Sequence, residues 1–569
     1  MNKHRHSFSE RLDAAALLCP NKVAITMLGS TSVDITFGSM LEQTRNIAYR
    51  LTKENVAAGD RIALMGENHP SWAIAYLGIL YRGAVVVPLD PSAPVQSITN
   101  FLRDSEARLA FVSPSSADRF REACVQLGKE IPAVALQPPK SDCDWPSFAE
   151  WSGTPSHSDI AAKSFPIKSE DLALLIYTSG TTGHPKAVPL THGNINAQIE
   201  AVEEVMKITE KEVVLSVLPL FHVYSQVVNL WLSATIGARV VYFNEFGSAE
   251  LEHGLRRSGA TALMGVPKLW YLFHTKVFDA VLAKPAPIRW AFRTMLTLNG
   301  VLRDSFDINL GPLFFRPIHR AFGGRLRLAV SAGARFDQNI ANDFHRLGLI
   351  ILQGYGLTET SGAVTATRFD ENVVGSVGRA LPGVELKIDK PDQDGIGEIL
   401  IRGPIVTAGY YRNPHATREA FTAEGWFRSG DLGRLDKRGH LYIVGRTKDA
   451  IVLPNGKNVY PEDLEPHYER SRAISEICIL GIQDHESSFV GVEKLFAVVV
   501  PNFEYLRTED IVDVECFIKR ELEKLGDELP KYQRVRDFVV RTEPLPRTPT
   551  RKIQRFELQS ELAACRAAT

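Results

Sequence analysis

The chain has 569 residues, 44% of them hydrophobic and 23% charged, with a formal net charge of −1. That length exceeds one ordinary domain, and the composition is that of a globular protein with no room for extensive disorder. The near-zero charge removes any electrostatic case for nucleic acid. Six cysteines, Cys19, Cys124, Cys143, Cys478, Cys516 and Cys565, are scattered without a CxxC pair or metal-ligand spacing. They read as free thiols in a reducing cytosol. The first ten residues are basic and polar with no apolar stretch behind them, so no signal peptide is expected. No apolar run approaches the roughly 20 residues of a spanning helix, so any membrane contact is expected to be peripheral.

Residues 61–90 read strand, helix, strand: the apolar run from Arg61, a helix over Ser71 to Tyr81, and a buried strand over Ala84 to Leu89. This βαβ unit implies parallel sheet with helices packed on it. Ala107 to Val112 adds a strand, and the polar, Pro-rich stretch from Gln137 to Glu170 reads as surface loop. Leu172 to Ile176 is an apolar strand running into a Gly/Thr/Ser loop, after which Thr191 caps a helix reaching Met206. Beyond Gly445 the alternation restarts, with strands at Ile477–Leu480 and Leu495–Val500 and a helix over Glu509–Leu525. A boundary near Lys448 would give a body, 1–447, and a cap, 448–569.

The loop itself, Tyr177-Thr-Ser-Gly-Thr-Thr-Gly-His-Pro-Lys186, carries the most information. Gly180 and Gly183 permit turns that gather backbone N–H groups around an anion. Ser179, Thr181 and Thr182 add hydroxyl donors and Lys186 a positive charge. A P-loop NTPase also has its Lys six positions after the first Gly. It needs Gly before the Lys, Ser or Thr after it, and a helix starting there. Here Pro185 precedes, Ala187 follows, and Val188-Pro-Leu190 is a poor helix start.

The loop resembles the phosphate loop of the acyl-adenylate-forming superfamily, which includes acyl-CoA synthetases, luciferases and adenylation domains of peptide synthetases. Ala187 departs from the family's usual Gly. The resemblance extends from about Phe37 to Arg555 and is closest in look to bacterial fatty acyl-CoA synthetases. It implies an α/β body of mixed and parallel sheets with helices, and a small mobile α+β cap. Thr178, Ser179, Gly180, Thr181, Thr182 and Gly183 would surround nucleotide phosphates. Gln353-Gly-Tyr-Gly-Leu-Thr-Glu-Thr360 resembles the second nucleotide motif. There Tyr355 would lie by the adenine, Thr358 would bond the α-phosphate, and Glu359 would bind Mg²⁺, a hard cation suited to carboxylate oxygen. Phe427-Arg-Ser-Gly-Asp-Leu-Gly433 resembles the ribose motif, with Asp431 accepting both hydroxyls. Gly445-Arg-Thr-Lys-Asp449 resembles the hinge, with Arg446 reaching ribose or phosphate and Lys448 at the pivot. Gly456 would let backbone approach the pantetheine of coenzyme A. Lys552, preceded by Arg551 where the family commonly has Gly, would be the cap's catalytic lysine. His222 in Leu218-Pro-Leu-Phe-His-Val-Tyr224 would gate the acyl pocket, lined also by Val223, Gly333 and Ala334.

These matches imply ATP-dependent activation of a carboxylic acid, a medium or long fatty acid, followed by transfer to coenzyme A. Aryl-CoA ligation, transfer to a carrier protein and a non-catalytic nucleotide-binding homologue remain open. Residues 271–325 hold eight basic residues against three acidic ones. They also hold Phe273, Phe278, Trp290, Phe292, Met295, Leu296, Leu298, Phe314 and Phe315. Cationic and aromatic groups together suit a surface lying on anionic headgroups, and equally a core helix with a solvated charged face. The expectation is a cytoplasmic enzyme with peripheral membrane contact through this segment.

Overall fold

The apolar run at 172–176 forms a buried strand, Leu172–Thr178, in the computed structural model. That model describes residues 7–138, 144–153, 166–178, 185–243, 248–453, 458–483, 493–547 and 553–567. The strand pairs in parallel with Val85–Leu89 and antiparallel with Lys186–Thr191, which closes one edge of a six-stranded sheet. Pro189 is tolerated because an edge strand can spare a ladder donor. The sequence Val188-Pro-Leu190 therefore continues as strand instead of opening a helix. The expected βαβ unit is present as Arg61–Met65, Pro70–Tyr81 and Val85–Leu89. Its helix is buried along its whole length and starts with Pro70 at the first turn, where no N–H is missed.

A second, nine-stranded sheet has a parallel centre. Val23–Leu28, Arg239–Phe243, Val213–Leu215, Ala262–Gly265, Leu328–Ser331 and Ile351–Leu357 run side by side, flanked by antiparallel edges. Thr191 caps the helix His192–Met206 by accepting from the Asn194 N–H, as expected. The stretch read as loop holds a short helix, Phe148–Ser152, because Ser147 and Glu150 form a capping box and Trp151 finds a buried site.

Residues 271–325 are helical, as Pro267–Leu282, Ala286–Phe306, Gly311–Phe314 and Arg316–Ala321. Most of the aromatics read there as membrane-facing are core. Phe292, Leu296 and Phe315 are buried, and Phe273, Phe278, Met295 and Phe314 pack on the same cluster. Only Trp290 and Leu298 of that set are exposed.

The chain divides into two compact units. The first is built from described residues of 1–180, 185–385 and 401–427, and the second from those of 386–400 and 428–569. Lys448 lies inside the second unit. That unit carries most of a four-stranded sheet ending in Phe427–Leu435 and Leu441–Arg446. It also carries a three-stranded sheet of Ile474–Gln483, Glu493–Pro501 and Asp537–Val540, covered by helices Pro461–Tyr468 and Val514–Gly526. The helix expected from Glu509 starts at Val514. Asp510 is left-handed, at φ 53°, and Asp513 caps the helix by accepting from the Cys516 N–H.

Candidate active site

In the first unit, Lys186 opens the edge strand Lys186–Thr191, and Glu359 sits in the 3₁₀ turn Thr358–Thr360 after the strand Ile351–Leu357. The turn is over-determined. A side chain at Gly356 would meet the Gly362 carbonyl at 1.6 Å, so only glycine fits. Ser361 is left-handed, and its hydroxyl donates to the Ile405 carbonyl at 2.7 Å. Thr358 and Glu359 are half-buried, as is Tyr355, which pairs across the sheet with Thr365.

One strap of chain, residues 404–411, ties these elements together. The Thr407 N–H donates to the Glu359 carbonyl at 2.8 Å, and its hydroxyl donates to the Pro189 carbonyl at 2.6 Å. The Tyr411 N–H donates to the Ala187 carbonyl, and the Asn194 carboxamide donates to the carbonyls of Pro404 and Val406. Tyr410 then reaches both charged groups. Its hydroxyl donates to Glu359 Oε1 at 2.9 Å, and Lys186 Nζ lies 4.7 Å from its ring centre. Burial, reinforced by the Glu359 carboxylate, pushes the Tyr410 phenol above its usual range, so it stays protonated and donates. Among the described residues neither Lys186 nor Glu359 makes an ion pair. A positive and a negative group are thus held by one neutral ring. Sequence reading missed Tyr410 and Thr407. The aromatic pair at 410–411 after a Gly is the one local signal, and nothing local says what it touches.

His222 is half-buried at the start of the short helix Val223–Gln226, its ring against Phe221, while Val223 is buried. The preceding turn is fixed by amides. Asn68 donates to the Leu218 carbonyl at 2.7 Å and accepts from the Leu220 N–H at 2.8 Å, and Gln226 donates to the Leu220 carbonyl at 2.8 Å. Gln226 accepts from Tyr76, which accepts from the Trp231 indole. The Tyr224 hydroxyl reaches the Gly265 carbonyl, and a Cβ on Gly333 would lie 3.8 Å from neighbouring Val266. The His222 and Gly333 turns therefore converge on 265–266. Gly333 has φ +87°, and Gly333 and Ala334 are exposed. Thr178 is half-buried, its hydroxyl 3.3 Å from the Lys186 carbonyl.

In the second unit, Asp431 and Arg446 face each other across paired strands, with Nε 3.2 Å from Oδ1. Asp431 is buried, and its N–H bonds the Ser429 hydroxyl. Lys448 is exposed in the turn that follows. The expected residues Ser179, Gly180, Thr181, Thr182, Gly183, Gly456 and Lys552 lie outside the described residues. The anchors on either side of Lys552 are described. Arg547 and the Leu545 N–H both bind Glu476 at 2.9 Å, and Arg555 makes a two-pronged pair with Glu465 at 2.5 and 2.7 Å.

Among the described residues no cluster of three His, Cys, Asp or Glu could hold a metal. A lone carboxylate does fit Mg²⁺, which is held by one or two carboxylates together with substrate phosphates and water.

Residues 12–411 match the family described as AMP-binding enzyme. The chain is 32% identical over 463 residues to the long-chain-fatty-acid–CoA ligase FadD15 of Mycobacterium bovis, covering 79% of this chain and 75% of that protein. It is 27% identical over 546 residues to the chloroplastic long-chain-fatty-acid–[acyl-carrier-protein] ligase AEE15 of Arabidopsis thaliana, covering 84% and 73%. ATP-bound MatB from Rhodopseudomonas palustris shares the fold over 99% of both chains, with a TM-score of 0.76 at 24% identity.

Proposed function

The chain belongs to the AMP-binding enzyme family as an AMP-forming acid–thiol ligase, and from that premise we propose that it activates a medium- or long-chain fatty acid with ATP and passes the acyl group to coenzyme A. The chemistry rests on one observation: Lys186 and Glu359, uncompensated by any ion pair among the described residues, held by the single ring of Tyr410. The choice of acid is supported by the likeness to a long-chain-fatty-acid–CoA ligase at 32% identity.

A carboxylate is a poor electrophile because its leaving group would be oxide. Its oxygen attacks the α-phosphorus of ATP, the bond to the bridging oxygen breaks, and pyrophosphate carries away the electron pair. Two anions must meet, so fixed positive charge in a dry site carries most of the catalysis. In this reading Lys186 faces the phosphates, Thr358 bonds the α-phosphate and Tyr355 lies beside the adenine. Asp431 accepts from the ribose hydroxyls, and Arg446 holds its carboxylate in place. Glu359 is the residue that would hold Mg²⁺, which when bound neutralises phosphate charge. Lys552 brings the second cation. The thiolate of coenzyme A, guided past Gly456, then attacks the acyl carbonyl beyond the His222 gate, and AMP leaves with the electron pair. Lys448 is the pivot about which the cap, 448–569, exchanges one half-reaction for the other.

A second acceptor, the phosphopantetheine of a carrier protein, is favoured by the name of the relative at 27% identity. The test is acid-dependent pyrophosphate exchange and AMP release over short, medium and long fatty acids and benzoate-type acids, with coenzyme A, holo carrier protein or neither. The proposal predicts exchange with medium or long fatty acids and AMP turnover only with coenzyme A. Turnover only with carrier protein, or only with aromatic acids, overturns it.

A further inference from the structure

Tyr177 opens the Gly/Thr/Ser loop, and three separate contacts hold it. Its hydroxyl donates to Asp104 Oδ2 at 2.7 Å and lies 3.2 Å from the Phe101 carbonyl. Its ring stacks on Phe101, with centroids 4.3 Å apart and planes 24° apart. Its backbone pairs with Ala187, in the register that sets Thr178 opposite Lys186. Tyr177 and Asp104 are both half-buried. Burial, reinforced by the hydrogen bond and charge of Asp104, pushes the phenol above its usual range, so it stays protonated and donates. A phenol donating to a carboxylate makes one of the stronger and more directional hydrogen bonds.

Asp104 stands in the last turn of the helix Val95–Ser105, and that helix end is itself fixed. Arg61 Nε donates to the Ser105 carbonyl at 2.7 Å, and the buried Ser105 hydroxyl donates to the Phe101 carbonyl at 2.6 Å. Arg61 also pairs with Glu106 at 3.1 Å, and Glu106 pairs with Arg412 at 2.8 Å. Arg412 is the residue that follows the strap 404–411. Glu106 and Arg412 are both left-handed, at φ 51° and 50°. Such backbone is costly for a residue with a side chain and persists where the surroundings over-determine it. The strap carries Tyr410, whose ring centre lies 4.7 Å from Lys186 Nζ, and the Tyr411 N–H holds the Ala187 carbonyl. The strand pair and the strap, the two segments that place Lys186, therefore both end on residues 104–106.

A lysine ammonium is a point charge on a flexible stem, so its delivery depends on where its backbone is held and what its stem meets. An error of about 1 Å in such a group is enough to cost rate or affinity. We propose that Tyr177 and Asp104 are positioning residues for Lys186. The helix end 104–106 is the abutment that registers the strand pair, and through it sets where the ammonium meets phosphate. The inference rests on the phosphate-facing role proposed for Lys186.

The test is a double-mutant cycle on the full chain, read by calorimetry as the dissociation constant of a non-hydrolysable ATP analogue. Tyr177→Phe keeps the stacked ring and loses the hydrogen bond, and should weaken binding about fivefold. Asp104→Leu should match it. Asp104→Asn, which still accepts from the phenol, should stay within about twofold of wild type. Lys186→Ala should weaken binding more than Tyr177→Phe does, and on that background Tyr177→Phe should add nothing, because no ammonium is left to place. Urea midpoints should fall equally on Tyr177→Phe in both backgrounds, which separates lost placement from lost stability. Additive binding losses, wild-type binding by Tyr177→Phe, or failure of Asp104→Asn to rescue overturns the inference and leaves the role of Lys186 standing. If Lys186→Ala binds the analogue as wild type does, the phosphate role of Lys186 falls and the inference falls with it.

Discussion

Two carboxylates in this molecule are restrained in opposite ways. Asp431 is buried and paired with a guanidinium, so its charge is compensated before any ligand arrives. Glu359 is half-buried and held by a neutral phenol on one oxygen, and among the described residues no cation pairs with it. A compensated carboxylate suits neutral hydroxyls, which ask only for acceptor lone pairs. An uncompensated one suits a cation. The partner, more than the acid itself, therefore decides what each can bind.

Removing the uncompensated charge should break this contrast hardest. Glu359→Gln keeps shape and hydrogen bond but not charge, and adenylate formation should fall by about 10²–10³-fold. Mn²⁺ bound with a non-hydrolysable ATP analogue, followed by electron paramagnetic resonance, should weaken in parallel. Unchanged Mn²⁺ binding would mean Glu359 holds no cation. Asp431→Asn should act differently, weakening nucleotide binding about tenfold with little change in Mn²⁺ dependence. It should also cost about 1–2 kcal/mol in urea unfolding, because Arg446 loses its counter-ion while still partly reaching solvent. If both variants respond alike in Mn²⁺ dependence, the distinction between the carboxylates is wrong.

Tyr410 sharpens the contrast from the other side. Tyr410→Phe removes one hydrogen bond and keeps the ring beneath Lys186, so the Mg²⁺ needed for half-maximal rate should rise about fivefold. Tyr410→Leu loses the ring as well and should add a further loss of about twofold to fivefold. Equal effects would show that the ring does nothing for Lys186. The smallest effect concerns His192, a titratable group with no hydrogen-bond partner on either ring nitrogen among the described residues. Burial, opposed by Asp171, lowers its pKa to about 4. The unfolded chain takes up a proton below about pH 6.5 that the folded chain refuses. Stability attributable to this group therefore falls as pH drops from 6.5 towards 4, by a little under 1 kcal/mol at pH 6. His192→Gln should show a smaller loss in urea midpoint between pH 7.5 and 6.

What could be read in advance follows the range of the interaction involved. Thr191 as a cap, the buried helix from Pro70 and the strands of the C-terminal sheet are set by neighbours within a few residues, so the sequence displays them. Tyr410 touches Lys186 and Glu359, both remote in sequence, and no local pattern encodes that meeting. Periodicity runs on through Asp510 and predicts a helix from Glu509, five residues early, whereas the left-handed turn and the Asp513 cap set the start at Val514. In 271–325 the composition displayed apolar and basic groups correctly but not their facing. Core neighbours took the phenylalanines and left Trp290 and Leu298 outside. The stretches 353–360 and 427–433 could be read as resemblances, while the strap 404–411 that ties Glu359 to the strand of Lys186 could not.

The nine-stranded sheet has a consequence for how the protein is made. Leu28 pairs in parallel with Phe243, and the whole six-stranded sheet is encoded between them. At roughly 5–20 residues per second, the ribosome needs about 10–40 s to supply the partner strand. During that interval the hairpin of Val23–Leu28 and Val33–Thr36 waits with an open, apolar edge while the inserted sheet can close on its own. The N-terminal strands are thus made first and completed late, and the nascent chain depends on whatever shields that edge until residue 243 emerges.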